Sequence, residues 1–189
     1  MKTICLALAV FLAGCQYRPA SQLDMAPPEI SRPRPLVTWV DVPVEMRQQN
    51  WGGSCMHASM MTTLRSHGLH RMASWWGQTY DGGESIEYLA DKAERAGLRY
   101  AYTAVGDTEL LEWCARNRHV AVVKYMSTAN YGHAVNLVGY KDGKALLIDN
   151  NRPERIFRVP WNQFVSGWID EGGNALTVVY TPPPPKPIF

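Results

Sequence analysis

Cys55 closes the segment Gln49-Asn50-Trp51-Gly52-Gly53-Ser54-Cys55, and a helix-forming run begins at that cysteine. A thiol at a helix N-terminus sits beside unpaired backbone N–H groups and the positive end of the helix dipole, which favour thiolate over thiol. The same N–H groups can hold the oxyanion that forms when a thiolate attacks a carbonyl. Gln49, six residues upstream, offers a side-chain amide as a second donor at that spot. Such a nucleophile needs a base. Asn130-Tyr131-Gly132-His133-Ala134-Val135-Asn136 supplies one, a histidine at the mouth of a β-rich run, whose ring can pair with the thiol and be oriented by a third group. The chemistry these residues suit is nucleophilic acyl transfer.

A helix and a sheet must bring the two groups together. The spacing predicts a helix from near Ser54 to Gly68. A second, Glu84–Ala96, carries a stripe of Ile86, Leu89, Ala90 and Ala93 and is closed by Gly97. A third, Asp107–Arg116, is capped by Asp107 or Thr108, with Leu110, Leu111 and Cys114 on one side. Strands are expected at 36–40, 120–125, 134–140, 145–148, 156–159 and 176–180, with a hairpin turn at Lys141-Asp142-Gly143-Lys144. Helices followed by an antiparallel sheet make an α+β domain. Trp161, Phe164 and Trp168, at helical spacing, read as core. Trp75, Trp76 and Tyr80 read as packing at a glycine-rich loop, Gly77 to Gly83, with a substrate platform as the other reading.

At these residues the chain resembles the papain-like cysteine peptidases and, more loosely, the bacterial C39-like peptidases. Gln49, Gly53, Ser54 and Cys55 match the papain pattern of a Gln six residues before a Gly-Ser-Cys, and His133-Ala134-Val135 with Val138-Gly139-Tyr140 matches its His strand. The resemblance implies a papain-like fold, with a helical part carrying Cys55 packed on an antiparallel sheet carrying His133. In gapless register the third triad position falls on Asp149, the residue type of C39-like enzymes. Hairpin geometry leaves a choice. A two-residue turn at Asp142-Gly143 would pair 141 with 144 and send Asn150 to the face of His133, whereas a three-residue loop ending in a left-handed Gly143 would send Asp149. Family register favours Asp149. The resemblance implies a peptide or protein substrate; no cofactor is expected, and the histidines match no metal-binding motif. Met56 stands where papain has Trp, and no Trp closely follows Asp149 and Asn150, so a trimmed relative outside the papain subfamily is expected.

The 189 residues hold one ordinary domain. Hydrophobic residues make up 46% and charged residues 19%, enough apolar surface for a sizeable core. A net charge of +2 provides no basic field, which argues against nucleic acid as a partner. The four cysteines divide. Cys5 lies in a short apolar run behind Lys2, of signal-peptide length, and the run ends in Leu12-Ala13-Gly14-Cys15, which resembles the lipobox of bacterial lipoproteins. That resemblance implies a signal peptide over residues 1–14, lipidation of Cys15 and, with Gln16 following it, a lipid anchor in the outer membrane facing the periplasm. Residues 15–35 contain five prolines and read as a stiff tether of about 60 Å. The peptidase-like domain is expected over 36–180, with a proline-rich tail at 181–189. Cys114 reads as a buried free thiol, a bridge to Cys55 being the alternative. His57, two residues from Cys55, points away from it, and His67, His70 and His119 read as solvated histidines. Two rival functions remain: hydrolysis of wall peptides, and a non-catalytic binding lipoprotein on a peptidase scaffold.

Overall fold

The β-rich runs of the second half pair into one seven-stranded antiparallel sheet. In the computed structural model, which describes residues 38–52, 54–82, 85–126 and 132–179, the strands are β1 (Thr38–Trp39), β2 (Tyr100–Thr103), β3 (Ala121–Met126), β4 (Gly132–Lys141), β5 (Lys144–Asp149), β6 (Phe157–Pro160) and β7 (Ala175–Val178). The helices are α1 (Cys55–Ser66), α2 (His70–Thr79), α3 (Ile86–Arg95), α4 (Thr108–Arg116) and α5 (Trp161–Asp170). The strand order is β2-β7-β3-β4-β5-β6, with β1 paired to the far end of β4.

Both faces of the sheet are covered, which is why its central strands are almost continuously apolar. On one face Val122, Ala134, Leu176 and Val178 pack with Met56, Met60 and Leu64 of α1 and Ile86 and Leu89 of α3. On the other, Ala121, Val123, Val135 and Leu147 meet Leu111 and Cys114 of α4 and the expected core trio Trp161, Phe164 and Trp168 of α5. The α+β class therefore stands. Asp107 caps α4 as expected, accepting a hydrogen bond from the Glu109 N–H at 2.8 Å.

Trp75 and Trp76 are not in a loop. Both belong to α2, and Tyr80 is its C-cap. The misleading residue is Gly77, whose place is a helix contact rather than a turn. A Cβ there would lie 2.7 Å from Met61 Cε, so glycine lets α1 and α2 approach. Trp76 is nevertheless fully buried, in keeping with the core reading. The strand β2 was not foreseen either; its four residues pair only with β7, at the sheet edge. The expected signal peptide (1–14), Cys15, the tether (15–35) and the tail (181–189) lie outside the described residues.

Candidate active site

Cys55 is the first residue of α1 and Ser54 its N-cap. The Ser54 hydroxyl does not cap the helix; it donates to Trp51 O at 3.2 Å. No acidic residue occupies the first turn. The positive end of the helix is thus left for the thiol itself. Two buried asparagines dock this turn on the sheet. Asn136 of β4 donates through Nδ2 to Ser59 O (2.9 Å) and Thr63 Oγ1 (3.0 Å). Asn150 Nδ2 lies 2.9 Å from Cys55 O, 2.9 Å from Ser59 Oγ and 2.8 Å from Ala134 O. An unpaired buried amide is costly, so these bonds make the nucleophile's position part of the fold.

The third member of the site depends on a β-bulge. Lys141 pairs with Lys144, so Asp142-Gly143 is a two-residue turn, with φ of 52° and 75°. Continued without interruption, that register would bring Asn150 to the face of His133. However, β4 carries one extra residue, Val138, between the pairs Leu137↔Leu147 and Gly139↔Leu146. Upstream of the bulge Val135 pairs with Asp149, and the carboxylate arrives on the His133 face. Gly139 is required there. Its φ is 146°, and a Cβ would collide with Thr38 O and lie 2.5 Å from Trp39 Cα. Asp149 is therefore delivered not by a three-residue loop but by a bulge in β4 beside its pairing with β1, and the alternative Asn150 is turned toward α1.

His133 Nε2 lies 2.7 Å from Asp149 Oδ1, and the same oxygen accepts from the Asn151 N–H at 2.8 Å. The Asn151 amide is also 3.2 Å from Nε2 and accepts from Asn50 Nδ2 at 3.1 Å. This ties the segment before the nucleophile to the turn that holds Asp149. With Nε2 so engaged, Nδ1 is the ring nitrogen left for the thiol. Asn151 escaped sequence reasoning, although alternation two residues past Asp149 places it on the same face.

The electrostatics favour an ion pair. Burial alone would raise the Cys55 pKa, but hydrogen bonding to His133 and the Ala134 backbone, the His133 charge and the Met56 backbone lower it overall. Burial would lower the His133 pKa, yet bonds and charges from Asp149 and Cys55 lift it to about 9. Asp149 is held below its ordinary value: burial opposes this, but the His133 bond, the Asn151 N–H and the charges of His133 and Arg152 prevail. Thiolate beside imidazolium is the protonation state these shifts favour.

The remaining candidates separate from this group. Gln49 is exposed, and among the described residues its side-chain amide makes no hydrogen bond. Cys55 and Cys114 are both free, which excludes the alternative bridge: Cys114 lies in the core on the α4 side of the sheet, where burial pushes its thiol up to about 12. His57 is buried behind the nucleophile; its Nδ1 accepts from Trp76 Nε1 at 3.1 Å and its ring stacks on Tyr80. His67 and His119 are not solvated. Their rings lie 4.8 Å apart, and His119 stacks on Trp113 at 4.6 Å and bonds Val178 O through Nδ1. His70 is exposed, as expected, and the described residues contain no cluster suited to a metal ion.

No family model and no curated protein matches the sequence. Solved structures match the fold. The peptidase domain of Streptococcus ComA, a bi-functional ABC transporter, has a TM-score of 0.54 at 14% identity, covering 75% of this chain and 97% of that one. A double glycine motif protease from an AMS/PCAT transporter, solved with its leader peptide, gives 0.52 at 19% identity, covering 75% and 94%. A Bacillus anthracis protein described as C39-like gives 0.59 at 14% identity, covering 77% and 99%. The class this defines is the papain-like cysteine peptidase fold. Within it, the fold is similar to that of these bacterial peptidase domains.

Proposed function

We propose that the protein is a cysteine peptidase that cleaves peptide amide bonds through Cys55, His133 and Asp149. The observation that carries this reading is the continuous contact from the Cys55 thiol through the His133 ring to the Asp149 carboxylate, at the uncapped start of a helix. The thiolate attacks the carbonyl carbon, forming a C–S bond and an oxyanion. The Cys55 backbone N–H holds that oxyanion, with Gln49 turning its amide into the cleft as the second donor. Collapse of the intermediate breaks the C–N bond, and His133 gives its proton to the departing amine. Water, deprotonated by the now neutral His133, releases the acyl group from the thioester. Asp149 keeps the ring oriented and its cation stable throughout.

A peptide substrate accords with the double glycine protease, which was solved bound to a leader peptide. In the same reading, Cys15 carries the lipid and residues 15–35 hold the domain off the periplasmic face of the outer membrane. The test is a comparison of the wild-type protein with Cys55→Ala on a pool of internally quenched peptides, together with a thiol-directed acylating probe. The wild type should cleave and be acylated at Cys55, and the variant should do neither. Full hydrolysis by Cys55→Ala, or a wild-type Cys55 that resists the probe, overturns the proposal.

A further inference from the structure

A cavity of about 510 Å³ lies against the sheet side of this centre, with His133 and Asp149 in its wall together with Tyr125, Arg152, Phe157 and Arg158. Its volume is in the range of small-ligand pockets. No residue of α1 lines it. That asymmetry has a chemical meaning, which rests on the peptidase reading above. The acyl carbon becomes bonded to Cys55 and must lie over the start of α1. The amine departs toward His133, which protonates it. The chain that continues from the leaving nitrogen is therefore the half of the substrate that meets a cavity walled by His133 and the sheet.

The charges in this wall are unbalanced. Asp149 is its one carboxylate, and His133 already holds it at 2.7 Å. Arg152 lies close enough for its charge to bear on Asp149, and among the described residues neither Arg152 nor Arg158 forms an ion pair. Arg158 sits on the edge strand opposite Leu146, whose side chain belongs to the other face of the sheet, so Arg152 is the cation that the occupant meets. The half-buried rings of Tyr125 and Phe157 add apolar wall. We propose that the cavity binds the amine-side segment of the substrate and selects a residue bearing a carboxylate, Asp or Glu, whose charge meets Arg152 while its stem packs on Tyr125 and Phe157.

Binding without turnover tests this separately from catalysis. The full-length chain carrying Cys55→Ala would be titrated, by fluorescence anisotropy, with fluorescein-labelled Ala-Ala-Ala-X-Phe-Ala peptides in which X is Glu, Gln or Lys. At low salt the Glu peptide should bind about three- to fivefold tighter than the Gln peptide, the worth of one partly screened ion pair, and the Lys peptide weakest. Adding Arg152→Glu should reverse the order, and Arg152→Gln should level it. The neutral variant also controls for folding, since Arg152 contributes backbone rather than side-chain hydrogen bonds to its turn. Equal binding of the three peptides, no binding, or a Glu preference that survives charge reversal overturns the subsite. A Glu preference in a protein whose wild type hydrolyses nothing leaves the subsite standing and overturns the peptidase reading instead.

Discussion

Replacing Asp149 by Asn keeps the shape of the third residue and removes its charge, which isolates what the carboxylate does. The Asn Oδ1 can still accept from His133 Nε2, the bond that measures 2.7 Å with Asp149. What disappears is the preference for the charged ring. His133 stands at about 9 against an ordinary 6.5, which corresponds to about 3 kcal/mol in favour of imidazolium. Asp149 and Cys55 share that stabilisation, and burial works against it. Loss of the carboxylate should therefore lower the upper apparent pKa of the Cys–His pair by at least about one unit. The sign for the thiol follows. Once the first proton is lost, the neutral thiol–imidazole form replaces part of the ion pair, so a smaller share of Cys55 is thiolate in the pH range between the two steps. The assay is the rate of iodoacetamide alkylation of Cys55 from pH 4 to pH 10, read by mass spectrometry. Cys114, buried and at about 12, is the internal control that stays unmodified. At pH 6 the Asp149→Asn protein should react about tenfold more slowly than the wild type. An unchanged profile would refute the claim that Asp149 holds the His133 cation.

Three further outcomes follow from the same geometry. Asn150→Ala should cost about 2–4 kcal/mol in urea unfolding, because it removes the amide that holds Cys55 O, Ser59 Oγ and Ala134 O together; a loss within the error of the measurement would deny its anchoring role. Gly139→Ala should destabilise by more than about 2 kcal/mol and blunt Cys55 alkylation, since its Cβ meets the β1 backbone, whereas Gly77→Ala meets only the flexible tip of Met61 and should cost less; equal thermal shifts would contradict this. His67 is depressed to about 4, chiefly by burial and then by the charge of His119, which is itself lowered. Both are neutral in the fold and protonate in the unfolded chain near 6.5. Stability should therefore be full above about pH 6.5 and fall as the pH drops toward 4, by up to about 3 kcal/mol for His67. His67→Leu should flatten the melting temperature between pH 6.5 and 4, and an undiminished slope would refute the assignment.

What could be read from the chain was the part whose signal is local. Cys55 with its upstream Gly-Gly-Ser, and His133 at the start of a β-run, declare themselves by residue type and neighbours. So do the stripe of α3, the cap of α4 and the aromatic spacing of α5. Gly77 misled because its meaning lies in Met61, on another helix. His67 and His119 misled because each is covered by a partner distant in sequence, His67 half-buried against the buried ring of His119. Their types alone say nothing of that contact. Asn136, inside a buried strand, and Asn150, in the turn just after one, were more accessible to reasoning than they looked, for a buried amide is kept only where something needs its hydrogen bonds.

Asp149 stands between these cases. The hairpin's own residues specify a two-residue turn, and that turn by itself delivers Asn150 to the histidine. The correction comes from Gly139, which admits the β1 backbone, and from Val138, which is the extra residue beside it. A β-bulge changes which side chain faces a site without changing any residue of the turn. A register borrowed from a family already contains that correction, whereas a register computed from the turn does not. In this protein the same shift sends Asp149 to His133 and Asn150 to the carbonyl of Cys55. One inserted residue thus sets both the charge behind the base and the anchor beneath the nucleophile, so any change that removes the bulge must disturb the two together.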